Sequence, residues 1–426
     1  PNAWGSGSCP ARTAPAGRIW ICNSRRGTFV PSPIYFDNAA TSWPKPPRVA
    51  QSLARYQERV GASAGRGAYP RARASGRILS DLRTAVAGLF NAPDPRRVVF
   101  TLNCTDALNL ALHGLPWKAG DRALVSPFEH NSVLRPLNAL KARRGIVVDY
   151  LPTDGDGRVR PEGLSRVLRA RTRLIACLHA SNVTGVLQPL AALGAFARRR
   201  GLPFLVDAAQ SAGAVPLDVR RMNIDYLAFP GHKALLGPLG TGGLIVAPGN
   251  DPAPARQGGT GSWSETDVQP TEFPDRLESG SHNAPGLLGL LEGVRYVAAR
   301  GVESIRRAER ARIDQFREGV RGIPGLRLFA PRSAEHQVAV FSFLFDGEDP
   351  QRSAARLWAR HRLMVRAGLH CAPGAHRFIG TLPRGTFRFS FGPWTSAGDV
   401  ARALRALRAL APRRRQLSTV PGDKVQ

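Results

Sequence analysis

Residues 203–210 read Pro203-Phe204-Leu205-Val206-Asp207-Ala208-Ala209-Gln210, and residues 226–233 read Tyr226-Leu227-Ala228-Phe229-Pro230-Gly231-His232-Lys233. Each is a short apolar run that stops at residues able to do chemistry. Four or five apolar residues bounded by turn formers specify a strand buried on both faces. Working outward, the same unit repeats. Apolar runs at Val98–Leu102, Ala123–Ser126, Ile146–Leu151 and Leu174–Leu178 precede Pro203–Val206 and Tyr226–Phe229, and Gly243–Val246 follows them. Helix-like stretches at 75–90, from Thr105, from Asn131, at 161–170 and at 190–200 accompany these runs. Short apolar strands alternating with amphipathic helices predict an α/β architecture, with a mostly parallel seven-stranded sheet covered on both faces.

Beyond about residue 284 the rhythm changes. A long helical stretch runs to about residue 321, broken near Gly301. A strand-like Val338–Leu344, a helix at 351–361 and a last helix at 397–410 follow. This predicts a smaller α+β domain at the C-terminal end. The expected organisation is an N-terminal extension over 1–33, a large domain over 34–290 whose first segment touches the small domain, a small domain over 291–411 and a tail over 412–426. The extension is rich in Gly, Pro, Ser and Arg without sustained periodicity. Its apolar piece Ile19–Cys22 is too short for a secretory core. It is read as disordered, and the tail, with Arg413-Arg414-Arg415, as a flexible solvated end.

The chain has 426 residues, of which 43% are hydrophobic, enough for a sizeable core. No apolar run reaches the length of roughly 18 residues that a membrane helix needs. The five cysteines form neither a disulfide framework nor the paired spacing of a zinc site, and no metal site is expected. Few cysteines and no export signal lead to a cytoplasmic expectation. The formal net charge of +29 raises a nucleic-acid partner. However, only five of the 60 basic residues are lysines: Lys45, Lys118, Lys141, Lys233 and Lys424. Arginines are spread over nearly every helix-like segment without interleaved aromatics. The excess is therefore read as a compositional bias of a basic enzyme and not as a nucleic-acid interface.

In parallel α/β sheets, ligands bind outside the carboxyl ends of the strands. The first strand ends in Thr101-Leu102-Asn103-Cys104-Thr105 and opens a helix. Its backbone N–H groups and the Thr105 hydroxyl suit an anion such as phosphate; the plain alternative is an ordinary N-cap. Asp207 is costly at a buried strand end unless it is paired. It suits a protonated pyridine nitrogen, as pyridoxal phosphate requires, or else a helix cap. Lys233 follows Gly231 and precedes Gly237, Gly240, Gly242 and Gly243. Such an apolar setting lowers a lysine's pKa and favours Schiff-base chemistry. In an arginine-dominated chain, a lysine here is less readily a mere surface charge, although an exposed or phosphate-contacting lysine is the alternative.

Together these residues resemble the pyridoxal-phosphate enzymes of the class V aminotransferase superfamily, with the cysteine desulfurases and selenocysteine lyases nearest. The resemblance runs over about residues 34–411. Tyr35-Phe36-Asp37-Asn38-Ala39-Ala40-Thr41 is similar to the family's opening segment, and Glu129-His130 to its EH motif. Ser181-Asn182-Val183-Thr184-Gly185 resembles its SN-x-x-G segment. Asp207 to Gln210 matches D-x-x-Q, and His232-Lys233 matches HK. Arg366-Ala367-Gly368-Leu369-His370-Cys371-Ala372 is similar to its R-x-G-x-x-C-A loop. Each fragment is weak alone. Six in order, at the expected strand ends, are specific.

The resemblance implies the fold type I architecture of pyridoxal-phosphate-dependent transferases, and pyridoxal 5'-phosphate as cofactor. It implies that Lys233 joins the cofactor covalently. His130 would stack on the ring and help move protons, and Asp207 would pair with the ring nitrogen. Gln210 and Asn182 would reach the phenolic oxygen. Thr105, His232 and the backbone around Cys104 would hold the phosphate. Ser281 falls where the family contacts phosphate across a homodimer interface. Arg388, aided by Asn182, would clamp the amino-acid carboxylate. Two departures stand out. Pro230 replaces a serine, which removes one phosphate contact, and Asn103-Cys104 replaces a smaller Gly-Thr.

Cys371, flanked by His370 and Pro373 in a predicted loop, is read as the nucleophile that receives sulfur as a persulfide. Cys177, in a strand, and Cys104 are read as structural. His282, His336, His361 and His376 show no sequence-level partners, and His113 and His179 are read as structural. The expected activity is conversion of L-cysteine to L-alanine, with a sulfur or selenium acceptor protein downstream. The alternatives are selenocysteine lyase, acting on L-selenocysteine, or another class V aminotransferase or lyase in which Cys371 is idle. A cofactor-binding scaffold that uses its basic surface on RNA is a third reading, opposed by intact Lys233, Asp207 and His130.

Overall fold

The structure is a computed structural model that describes residues 32–65 and 67–411. After a two-residue strand β1 (Ile34–Tyr35) come β2 (Val98–Thr101), β3 (Arg122–Val125), β4 (Val147–Tyr150), β5 (Thr172–Leu178), β6 (Phe204–Asp207), β7 (Tyr226–Pro230) and β8 (Gly242–Val246). The last seven make one sheet in the order β2-β8-β7-β6-β5-β3-β4. The block β7-β6-β5-β3-β4 is parallel. Only β8 runs against its neighbours, β7 and β2.

Every residue of β2, β6, β7 and β8 is buried, which is why these strands read as continuous apolar runs. Their side chains still divide by the two-residue period. Phe204, Val206, Leu227 and Phe229 pack against the helices Pro70–Phe90, Leu190–Arg199 and Ala284–Arg300. Leu205, Tyr226 and Ala228 pack against Cys104–Gly114 and Asn131–Arg144 on the opposite face. Each fully buried Leu or Phe in these layers contributes about 1.5–3 kcal/mol of apolar transfer free energy.

Five more strands follow: β9 (Leu326–Phe329), β10 (Val340–Phe345), β11 (Leu363–Met364), β12 (Arg366–Gly368) and β13 (Thr386–Ser390). β12-β13-β10-β9 form an antiparallel sheet, and β11 pairs in parallel with β1. An aromatic core of Phe316, Phe341, Phe343, Phe387, Phe389 and Phe391 lies beneath it. Phe36 is wholly buried in the same core, so the N-terminal segment is anchored to this sheet.

Several expected elements shift. The helix expected at 75–90 begins at Pro70, because proline is tolerated in a first turn. The helix expected at 161–170 shrinks to the turn Pro161–Gly163 and Leu164–Val167. Leu168 is already extended and Arg171 takes a positive φ of 68°, which turns the chain into β5. The helix Pro47–Arg55, the strands β9, β12 and β13, and the helix Pro373–Phe378 were not anticipated. β13 hides because its polar residues Thr386, Arg388 and Ser390 are as buried as Phe387 and Phe389. The expectations for 1–31 and 412–426 lie outside the described residues. Among those described, no helix is long and apolar enough to cross a membrane.

Candidate active site

The carboxyl ends of β5, β6 and β7 lie side by side, with Leu178 opposite Asp207 and Asp207 opposite Ala228. The loops leaving them line a cavity with an empty volume of about 520 Å³. Cys104, Thr105, His130, Asn182, Asp207, Gln210, His232 and Lys233 all line it, together with Pro230 and Ser132. Eight residues selected from separate stretches of chain therefore meet in one place.

One wall is the start of the helix Cys104–Gly114. Asn103 caps it by accepting a hydrogen bond from the Asp106 N–H at 2.9 Å. The N–H groups of a first turn have no partners within the helix and form a natural anion site. The Cys104 thiol donates to Asp207 Oδ1 at 3.4 Å. Burial, reinforced by the Asp207 charge, pushes that thiol's pKa well up and keeps it protonated.

Asp207 terminates β6 and is buried. Its Oδ1 also accepts from the Ala209 N–H at 2.8 Å, which fixes the carboxylate's orientation. Lys233 follows the end of β7. Gly231 is obligatory just before it, since a Cβ there would lie 2.2 Å from Thr241 Oγ1. The Lys233 amine forms no hydrogen bond or ion pair with the described residues, and its pKa is lowered by burial, with the Asp207 charge opposing. Burial also pushes His232 down to about 4, helped by Lys233 and Lys45. Gln210 donates from Nε2 to the Ala39 carbonyl at 3.0 Å.

His130 caps the helix Asn131–Arg144. The Ser132 N–H donates to its Nδ1 at 3.1 Å, so Nδ1 bears a lone pair and the network assigns the ring proton to Nε2. Ser132 Oγ lies 2.8 Å from the same nitrogen and 2.7 Å from Thr105 Oγ1, tying His130 to the hydroxyl at the start of the helix Cys104–Gly114. Burial lowers the His130 pKa, against the raising effect of Asp207. Glu129 is wholly buried behind it. Its Oε1 accepts from the Leu178 N–H at 2.7 Å, and desolvation raises its pKa far above the usual range.

Arg388 reaches the site from β13. It donates to the Asn182 carbonyl at 2.9 Å and to Asp37 Oδ1 at 3.0 Å. Asp37 also pairs with Arg366 at 2.8 Å, so one carboxylate bridges two arginines. Cys371 lies in an exposed turn between β12 and the helix Pro373–Phe378, and its thiol is free. The turn's backbone is fastened to the cavity's own elements. Asn182 Nδ2 donates to the His370 carbonyl at 2.5 Å, and the Asn131 N–H to the Cys371 carbonyl at 2.8 Å.

Three of the expected residues do not line the cavity: Arg388 and Cys371 stand beside it on bonds to Asn182 and Asn131, and Ser281 is exposed, just ahead of the helix Ala284–Arg300. Arg366, read as part of a loop, begins β12. Two histidines expected to lack partners have them. His282 Nε2 lies 2.5 Å from Glu278 Oε2, and His376 Nδ1 lies 2.7 Å from Thr381 Oγ1, because both rings fold back onto nearby residues of their own chain segment. Cys177 is buried in β5, as its apolar surroundings indicate. The sequence reading missed Asp37 as the partner of Arg388, and Ser132 as the link between His130 and Thr105. Asp37 carried a signal, an acid inside the opening motif; Ser132 carried none.

A mostly parallel seven-stranded sheet, a smaller α+β unit and a lysine beside an aspartate at the strand ends define fold type I of the pyridoxal-phosphate enzymes. The family model described as Aminotransferase class-V matches residues 34–403. The chain belongs to the class V aminotransferase family, whose chemistry depends on pyridoxal phosphate. A probable cysteine desulfurase of Pyrococcus abyssi is 32% identical over 385 residues, covering 88% of this chain and 94% of its own. The apo structure of a cysteine desulfurase from Thermococcus onnurineus NA1 matches with a TM-score of 0.83 at 32% identity, covering 89% of this chain and 94% of that one. The Escherichia coli cysteine desulfurase CsdA, in an S-sulfonic acid form, matches with a TM-score of 0.80 at 28% identity, covering 88% and 94%.

Proposed function

We propose that this chain is a pyridoxal-phosphate-dependent cysteine desulfurase that converts L-cysteine to L-alanine and leaves the sulfur on Cys371 as a persulfide. The observation that carries the reading is a half-buried Lys233 amine in the cavity, without a hydrogen bond among the described residues, and an exposed Cys371 thiol on a turn whose backbone is bonded to Asn182 and Asn131 beside it. The residues fit the cofactor. Buried polar atoms without partners, Asn182 Oδ1 and His232 Nδ1, belong to residues lining the cavity, as expected where a polar group is to be received. Lys233 would hold the cofactor covalently, Asp207 would pair with its ring nitrogen, and His130 would stack on the ring. Gln210 and Asn182 would meet its phenolic oxygen, and Thr105, His232 and the Cys104 backbone its phosphate. Ser281 would contribute from the partner of a homodimer. Residues 34–290 would form the cofactor-binding domain and 291–411 the small domain. The bound cofactor supplies an electron sink for charge developing at the substrate's Cα.

The chain's own residues do the rest. Arg388 binds the substrate carboxylate, its guanidinium held in place by Asp37 and the Asn182 carbonyl. Burial disfavours the charged Lys233, so its free amine accepts the Cα proton. His130, with its proton on Nε2, serves as a neutral proton carrier. The Cys371 thiolate attacks the substrate sulfur; the S–S bond forms, the substrate C–S bond breaks, and Cβ takes a proton to give alanine. One cysteine and one thiol become one alanine and one persulfide. A cytoplasmic sulfur-acceptor protein or a small thiol then removes the outer sulfur.

The test is to incubate purified, cofactor-loaded protein with L-cysteine and a reducing thiol, and to follow alanine and sulfide together. Equal amounts of both are expected. Cys371→Ser is expected to keep the visible absorbance of the bound cofactor and to lose sulfide release by about 100-fold or more. A fully active Cys371→Ser protein would reject the desulfurase step. With L-selenocysteine the carbon–selenium bond is weaker, and a smaller loss is expected.

A further inference from the structure

Lysine is rare in this chain, and Lys45 is one of the five. It stands in the N-terminal segment that leaves β1 and crosses toward Lys233. Its ammonium is partly buried and has no carboxylate partner among the described residues. Nζ donates to the His232 carbonyl at 2.6 Å and to Ser42 Oγ at 2.7 Å. The same carbonyl also receives the Ser42 N–H at 3.1 Å and the Thr41 hydroxyl at 3.1 Å. Ser42 Oγ has one proton, and its shorter contact is to the Lys233 carbonyl at 2.7 Å, against 3.2 Å to the His232 carbonyl. Its lone pairs are then free to accept from Lys45.

A carbonyl oxygen has two lone pairs, so three donors saturate it. The charge-assisted contact from Lys45 is the shortest and therefore the strongest of them. The arrangement has a cost, since burial pushes the Lys45 ammonium down to about 8. A cation kept in such a place without a counter-charge serves the groups it touches, and both lead to the backbone that carries Lys233. The peptide following the His232 carbonyl is the one from which the Lys233 side chain departs.

We propose that Lys45 is a positioning residue for Lys233: by gripping the His232 carbonyl it fixes that peptide and aims the Lys233 amine at the aldehyde it must attack. This rests on Lys233 being the covalent attachment point. The competing role is purely structural, in which Lys45 only ties the N-terminal segment down.

The experiment uses the full-length apoprotein. Pyridoxal phosphate is added, growth of the visible band is followed in stopped flow, and the adduct is trapped with borohydride and located by mass spectrometry. The wild type is expected to trap at residue 233 and Lys233→Ala to trap nothing there. Lys45→Met is expected to slow capture roughly 10- to 100-fold, the worth of one charge-assisted hydrogen bond, while the apoprotein melts within a few degrees of wild type. Lys45→Arg, which keeps charge and donors, is expected to recover part of the rate. Ser42→Ala, which cuts the bond to the Lys233 carbonyl, is expected to lose an intermediate amount. A Lys45→Met capture rate within twofold of wild type overturns the proposal. Should Lys45→Met fail to fold, normal rates in both Lys45→Arg and Ser42→Ala overturn it. No adduct at residue 233 in the wild type defeats the proposed function itself, and this inference with it.

Discussion

Lys233 leaves the carboxyl end of the parallel sheet half-buried in the cavity, whereas Cys371 sits on an exposed turn of the second sheet's unit, its sulfur without a hydrogen bond among the described residues. The backbones are treated alike and the side chains oppositely. Lys233 is held by the contacts on its own carbonyl and on that of His232. The Cys371 turn is held through the His370 and Cys371 carbonyls, with both residues at positive φ, 48° and 57°. Two consecutive non-glycine residues in that region cost about 1–2 kcal/mol each, so the turn persists only because those contacts impose it. An amine that must be neutral needs desolvation. A thiol that must give its sulfur away needs an open side.

The largest break of this contrast removes the cavity partner. Lys233→Ala is expected to abolish covalent cofactor attachment and to lower alanine formation by about 10⁴-fold or more, read from absorbance and from a single-turnover assay. Cys371→Ser, by the contrast, should leave attachment intact.

The next largest effect lies between the two regions, at Arg388. Lysine cannot reproduce a planar two-pronged contact, so Arg388→Lys is expected to lower kcat/KM for cysteine by about 100-fold, mainly through KM. Asp37→Ala leaves the buried Arg388 guanidinium without a carboxylate partner among the described residues, with Arg366 repelling it. A loss of about 3–5 kcal/mol in urea unfolding is expected, and a smaller loss would mean that solvent reaches the arginine.

The smallest effect sharpens the enclosed side alone. His179, just past β5, is buried, and desolvation pushes its pKa down to about 3 from an ordinary 6.5. The unfolded chain therefore binds the proton first as pH falls. The stability is fully present above pH 6.5 and drains away from there toward pH 3, amounting to about 2 kcal/mol at pH 5. His179→Gln is expected to flatten the pH 5–7 dependence of unfolding by that amount; an unchanged slope would show that the ring is solvated.

Much of the large sheet was legible because its strands are buried on both faces and therefore stand out as apolar runs. The same simplicity failed at β13, where Thr386, Arg388 and Ser390 are buried yet polar. The cavity residues were legible because they terminate strands in recognisable types. Asp37 and Lys45 were harder, since each acts through another side chain or peptide and not through chemistry of its own. Rarity marked Lys233 out among arginines, and the same argument applied to Lys45 would have flagged it.

The order of apolar runs and polar strand ends determined by itself that this chain makes a covered parallel sheet with an amine, an acid and an imidazole at one edge, since periodicity and residue type are local properties. The tertiary structure alone decided that Asp37 bridges Arg388 and Arg366, that Ser132 orients His130, and that Lys45 grips the peptide of Lys233. Most of those pairings join residues far apart in the chain, and the side chains involved have too little periodicity or size to announce their partners before the two sheets are brought together.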